Sequence, residues 1–95
     1  MINIKEIKYK YKETPIDSTL IRNLELTVNL KFVPEKQLCG QSILLEDESD
    51  TLEAVAKASI FDRLKNRVGE VVKLIGRLDK TEFGNIAYLI EEILE

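Results

Sequence analysis

The chain has 95 residues, 14 Lys and Arg against 17 Asp and Glu for a net charge of −3, no His, no Trp and a single cysteine, Cys39. That length suits one domain and excludes two, and 44% hydrophobic with 33% charged residues fits a globular chain with no apolar run near the ~18 residues a spanning helix needs. Without His there is no imidazole base and no His-containing zinc site, and Cys39 alone makes neither a disulfide nor an all-cysteine site, so the expectation is a non-enzyme with no metal and no cofactor.

Between Met1 and Lys12 a charge falls at nearly every second position. No apolar leader is read there, and a cytoplasmic, membrane-free protein is expected. Ile7, Tyr9 and Tyr11 alternate with Lys8, Lys10 and Lys12, the period of a strand. Residues 1–13 are therefore predicted as an N-terminal edge strand or extension whose lysines discourage stray pairing. Ile2 and Ile4 are out of phase with that set, which a bulge near Lys5 and Glu6 would absorb. On this reading the tyrosines stand opposite the lysines, and Tyr9 and Tyr11 become candidates for a partner surface.

Thr14-Pro15-Ile16-Asp17-Ser18 is turn chemistry. From Leu24 to Phe32 apolar and polar residues alternate without a fault, which predicts a strand with one face on a core and Phe32 continuing the inward series. Val33 to Lys36 breaks the pattern again, and Gly40 to Leu45 rises into an apolar run closed by the polar turn Glu46 to Asp50.

Thr51 to Val68 supports two readings. As one helix it has Asp50 as cap and Leu52, Val55, Ala56, Ile60, Leu64 and Val68 at helical spacing, closed by Gly69. As a strand and then a short helix, Leu52, Ala54, Ala56 and Ala58 alternate, and Phe61 to Val68 makes about two turns. Alanine propensity favours the single helix, and pattern alone fits both. Beyond Gly69, Val71 to Leu78 reads as a strand bent at Gly76, Asp79 to Asn85 as a loop, and Ile86 to Ile90 as the returning strand. Charge alternates in blocks along this order: residues 1–36 are net +2, 37–59 net −4, 60–80 net +3 and 81–95 net −4.

The strings D-E-S-D-T-L-E-A (Asp47 to Ala54), I-F-D-R-L (Ile60 to Leu64), V-G-E-V-V-K-L-I-G-R-L (Val68 to Leu78) and F-G-N-I-A-Y-L-I (Phe83 to Ile90) resemble the small oligonucleotide/oligosaccharide-binding (OB) domains of the replication protein A and archaeal single-stranded-DNA-binding type. Pro15 to Val33 similarly looks like the family's approach to its first strand. The resemblance implies a mainly β fold, a five-stranded Greek-key OB barrel with a short helix between the third and fourth strands. Its strands would be Leu24 to Val33, Gln41 to Glu46, Thr51 to Ser59, Glu70 to Leu78 and Ile86 to Ile93. The alternative is an α+β fold with the long helix 51–68. Inward alternates of the barrel would be Leu26, Val28, Leu30, Ile43, Leu45, Val72, Leu74, Ile86 and Ile90.

Family sites lie on the second and third strands and their flanking loops, where rings stack bases and cations track phosphates. Carried over residue by residue, this implies Lys31, Lys36, Arg77, Lys80 and Phe83 as nucleic-acid-binding residues, with no aromatic on the second and third strands. Tyr9, Tyr11, Arg63 and Arg67 remain as partner-binding candidates. Two functions are expected: a non-catalytic accessory or interaction subunit of a DNA replication or repair assembly, similar to auxiliary subunits of archaeal DNA polymerases, whose partner is a larger replication or repair protein; or direct single-stranded DNA or RNA binding through the basic loop between the fourth and fifth strands.

Overall fold

Leu26, Val28 and Leu30 turn into the core and Glu25, Thr27 and Asn29 into solvent, as their spacing demands, along a strand that spans Ser18–Phe32 (β1). The computed structural model describes residues 3–36 and 42–94 and adds β2 (Ile43–Glu46), β3 (Thr51–Ala56), β4 (Val71–Lys80) and β5 (Ile86–Ile93), with helix α1 (Ile4–Lys10) before β1 and α2 (Ala58–Leu64) between β3 and β4. The fold is mainly β. Its strands form one closed sheet in the order β1-β2-β3-β5-β4, with β4 returning to β1.

β1 serves two neighbours because it is long. Its residues 18–29 pair with β4 and residues 29–32 with β2, and irregularities near Leu20 and Arg22–Asn23, the latter with Asn23 at φ 55°, bend it between them. Three of the other four pairings are antiparallel with their neighbours in chain or sheet, while β3 and β5 run parallel over Glu53–Ala56 and Ala87–Ile90. Two predicted bounds shift: β4 runs on through Asp79 and Lys80, which had been assigned to a loop, and β3 stops at Ala56 instead of Ser59. Cys39 and Gln41 lie outside the described residues.

The long helix over 51–68 does not form. Leu52, Ala54 and Ala56 are buried alternates of β3, hydrogen-bonded between β2 and β5, and burial in that ladder outranks the helix propensity of alanine. The helical part starts only at Ala58, where Ile60, Phe61 and Leu64 are buried.

The N-terminal edge strand is also corrected, because Ile4–Lys10 is helical. Ile4 and Ile7, three residues apart, drop into the core (1% and 0% exposed) and set the helical period that the Tyr and Lys alternation masked. Their burial contributes about 3–6 kcal/mol, short of the roughly 7–14 kcal/mol of backbone entropy for ordering seven residues. Polar anchors supply more. The Asn3 side chain caps the first turn by accepting from the Glu6 N–H (2.8 Å), Asp47 in the β2–β3 turn accepts from the Ile4 N–H (2.8 Å), and Ser49 from the Lys5 N–H (3.1 Å).

Two core expectations change. Phe32, read as inward, is 47% exposed: the register slips between Leu30 and Phe32, so one extra residue turns the ring to the outer face. Ile86 is half-buried at the rim, whereas the remaining eight predicted core residues are buried.

Candidate interaction face

The slip at Phe32 creates the most apolar part of the outer surface. Phe32 pairs across to Leu44 of β2, Leu44 to Glu53 of β3, and Glu53 to Ala87 of β5; one step along the same face, Val55 pairs with Leu89. Phe32 and Val55 are 47% and 46% exposed, with Leu44 and Leu89 half-buried beside them. Four strands thus present a patch of Phe32, Leu44, Val55 and Leu89 around one carboxylate, Glu53. Sequence reasoning passed over Leu44, Val55 and Leu89; the signal was in the strand reading of β3, where Val55 falls out of step with Leu52, Ala54 and Ala56.

At the α1 end of this face a groove of about 350 Å³ runs between Lys8 and Lys12 on one side and Gly84 and Asn85 of the β4–β5 turn on the other, over Leu44, Thr51, Glu53 and Ile86. Its wall includes Lys80. That ammonium is buried (6% exposed) and donates to the carbonyls of Tyr11 (3.0 Å) and Lys12 (2.9 Å), holding the end of α1 against the end of β4. A lysine nominated for phosphate is therefore an internal brace.

The other nominated residues are dispersed. Arg77 closes on the Asp79 carboxylate through its Nε at 3.0 Å to both oxygens, and Lys31 pairs with Glu46 at 2.9 Å. Lys36 is exposed beyond β1, and Phe83 stands at the β4–β5 tip, 81% exposed. Arg63 is exposed on α2, and Arg67 beyond it pairs with Glu70 (3.1 Å). Tyr9 is 81% exposed, while Tyr11 is half-buried against the core with the Lys10 ammonium 5.5 Å from its ring centroid. The structure thus brings Lys80 and Tyr11 together, and leaves Arg63 and Arg67 on a different element from Tyr9.

The acidic turn is a knot of hydrogen bonds. Burial pushes the Asp47 carboxyl up, but the Ser49 hydroxyl and the N–H groups of Ile4, Ser49 and Asp50 outweigh it and hold the group below its ordinary 3.8. Asp50 is likewise lowered, first by the Thr51 N–H and further by Lys8, whose ammonium lies 3.4 Å away. Among the described residues no group of His, Cys, Asp and Glu side chains is arranged to hold a metal, and no helix is long and apolar enough to cross a membrane.

No protein-family model matches the chain, and no curated protein matches it. The face is left to its own chemistry. An apolar patch around a single carboxylate, with the nearest basic groups already engaged, suits a protein surface better than a phosphate backbone.

Proposed function

We propose that the chain is a non-catalytic OB-type interaction module, an accessory subunit that docks on a larger protein through the outer face of β2, β3 and β5. The observation that carries this reading is the outward turn of Phe32 beside Leu44, Val55 and Leu89. The fold half is supported by the strand order, by β1 shared between β2 and β4, and by a helix between β3 and β4. These are the relations a five-stranded Greek-key OB barrel requires. Assignment of the partner to replication or repair rests on the resemblance of the sequence to replication protein A and archaeal single-strand-binding domains.

Direct nucleic-acid binding through the β4–β5 loop is the weaker reading. Lys80 is spent on carbonyls and Arg77 on Asp79, which leaves Phe83 without a cation of that set beside it. Affinity capture from the native source, run in parallel with the wild-type chain and with Phe32→Ser/Val55→Ser, tests the proposal. A partner held by the first and released by the second supports it; a partner held equally by both overturns it.

A further inference from the structure

The solvent side of α1 is a second surface, one that the apolar-face reading does not use. As a strand, the Lys and Tyr residues would point to opposite faces; as a helix, Lys5, Tyr9 and Lys12 fall at i, i+4 and i+7, on one side. Lys12 lies just past the helix, but its N–H still bonds the Tyr9 carbonyl (3.3 Å) and so continues the spiral. Ile4, Ile7 and Tyr11 occupy the side packed on the core.

Tyr9 is 81% exposed, so its ring contributes almost nothing to folding. Lys5 and Lys12 are exposed, and among the described residues neither ammonium has an ion-pair partner. Lys8, paired with Asp50 at 3.4 Å, extends the positive strip to the groove, where the buried Lys80 ammonium keeps its full charge because its partners are carbonyls. Opposing charge comes from Glu6, about 100° around the helix from Lys5, from Glu13 beyond the helix, and from Glu53 on the groove floor.

We propose that this strip is a contact for single-stranded nucleic acid, with Tyr9 stacking on a base and Lys5 and Lys12 meeting the flanking phosphates. The spacing fits. Seven residues of helix span about 10 Å, close to three stacked nucleotides at about 3.4 Å each, with the ring between the two cations. One exposed ring flanked by unpaired ammonium groups is the combination that sequence-tolerant single-strand binding uses. A single such ring supports weak binding, in the micromolar range or above.

Fluorescence anisotropy with labelled thymidine and uridine oligonucleotides of about a dozen nucleotides, across a salt series, tests this. Wild-type protein should bind at low salt. Tyr9→Ala should weaken binding at least about fivefold, the equivalent of one base stack, and Tyr9→Phe should retain it. Lys5→Ala/Lys12→Ala should flatten the log Kd against log salt slope by about 1.4. Arg63→Ala/Lys65→Ala on α2 is the control and should change neither quantity. No binding at low salt, an unchanged Tyr9→Ala affinity, or loss in the α2 control instead would each overturn the proposal. Capture of a protein partner that depends on Tyr9, with no oligonucleotide affinity, would assign the strip to that partner and overturn it equally. Because Phe32 and Val55 lie elsewhere, failure here leaves the docking-face experiment readable by itself.

Discussion

The Lys80 ammonium lies 3.0 Å from the carbonyl oxygen of Tyr11, 69 residues away in the chain. With its second bond to Lys12 it satisfies carbonyls that follow the last turn of α1 and that no helical N–H can reach. Lys80→Met keeps the apolar stem and removes the donor. The expected result is a loss of about 2–3 kcal/mol in urea unfolding. Oligonucleotide affinity that fell while stability held would show that Lys80 reaches ligand after all.

Phe32 separates two readings of β1 by stability alone. A core phenylalanine costs about 3–5 kcal/mol on truncation. Since the ring faces outward beside Leu44, Phe32→Ser should change unfolding free energy by under about 1 kcal/mol. The same measurement on Leu45→Ala, fully buried on the next residue of β2, should show about 2–5 kcal/mol and serves as the scale.

Gly76 faces Leu89 and Tyr88 across the β4–β5 pair, and a methyl group there would collide with the Leu89 carbonyl and come within 3.0 Å of the Tyr88 ring. The missing side chain is what lets that ring lie buried over the strand. Gly76→Ala should cost about 3 kcal/mol, read from the urea midpoint, because a backbone oxygen cannot step aside as a flexible side chain would.

The Tyr88 hydroxyl donates to the Leu24 carbonyl at 2.6 Å, and Tyr88→Phe should cost about 1–2 kcal/mol by leaving that carbonyl unmet. Burial, then Glu91 and Glu25, push the phenol above its ordinary 10.0. A folded-state value above the unfolded one contributes stability in full below pH 10.0 that is lost as pH rises past it. Thermal melts should therefore fall above pH 10 in the wild type, and fall less steeply in Tyr88→Phe.

At the acidic end the sign reverses. Asp47 is depressed in the fold, so its contribution is present above pH 3.8 and disappears as pH drops through the folded value. Asp47→Ala should lower neutral-pH stability by about 1–2 kcal/mol through loss of the turn and of the α1 anchor, and should flatten the acid limb of a melting-temperature profile below pH 4.

Much of the sheet was legible because its strands obey a short period. The alternation of Leu26, Val28 and Leu30, the return over Ile86 to Ile90, and Gly69 before β4 are local signals, and local rules read them. What escaped depends on distant atoms. Helix α1 looks like a strand until Asp47 and Lys80 arrive to satisfy its ends, from 43 and 69 residues away. The outward turn of Phe32 follows from a register slip that alternation cannot encode, and the burial of Lys80 follows from carbonyls whose neighbourhood only the tertiary fold creates. Of the candidate site, Phe83 and Tyr9 are where a reader of the sequence would want exposed rings, while the cations chosen beside Phe83 are engaged with partners inside the molecule.

The two anchors of α1 also impose an order on events. This helix precedes both of them in synthesis, and alone its seven residues are too few to hold their shape in water. It has no cup for Ile4 and Ile7 until the β2–β3 turn exists, and no brace for its last carbonyls until β4 is complete. The earliest of the described elements to leave the ribosome is thus the last that can lock, so a nascent chain stalled before Lys80 would carry this segment loose, with two isoleucines still open to whatever binds them first.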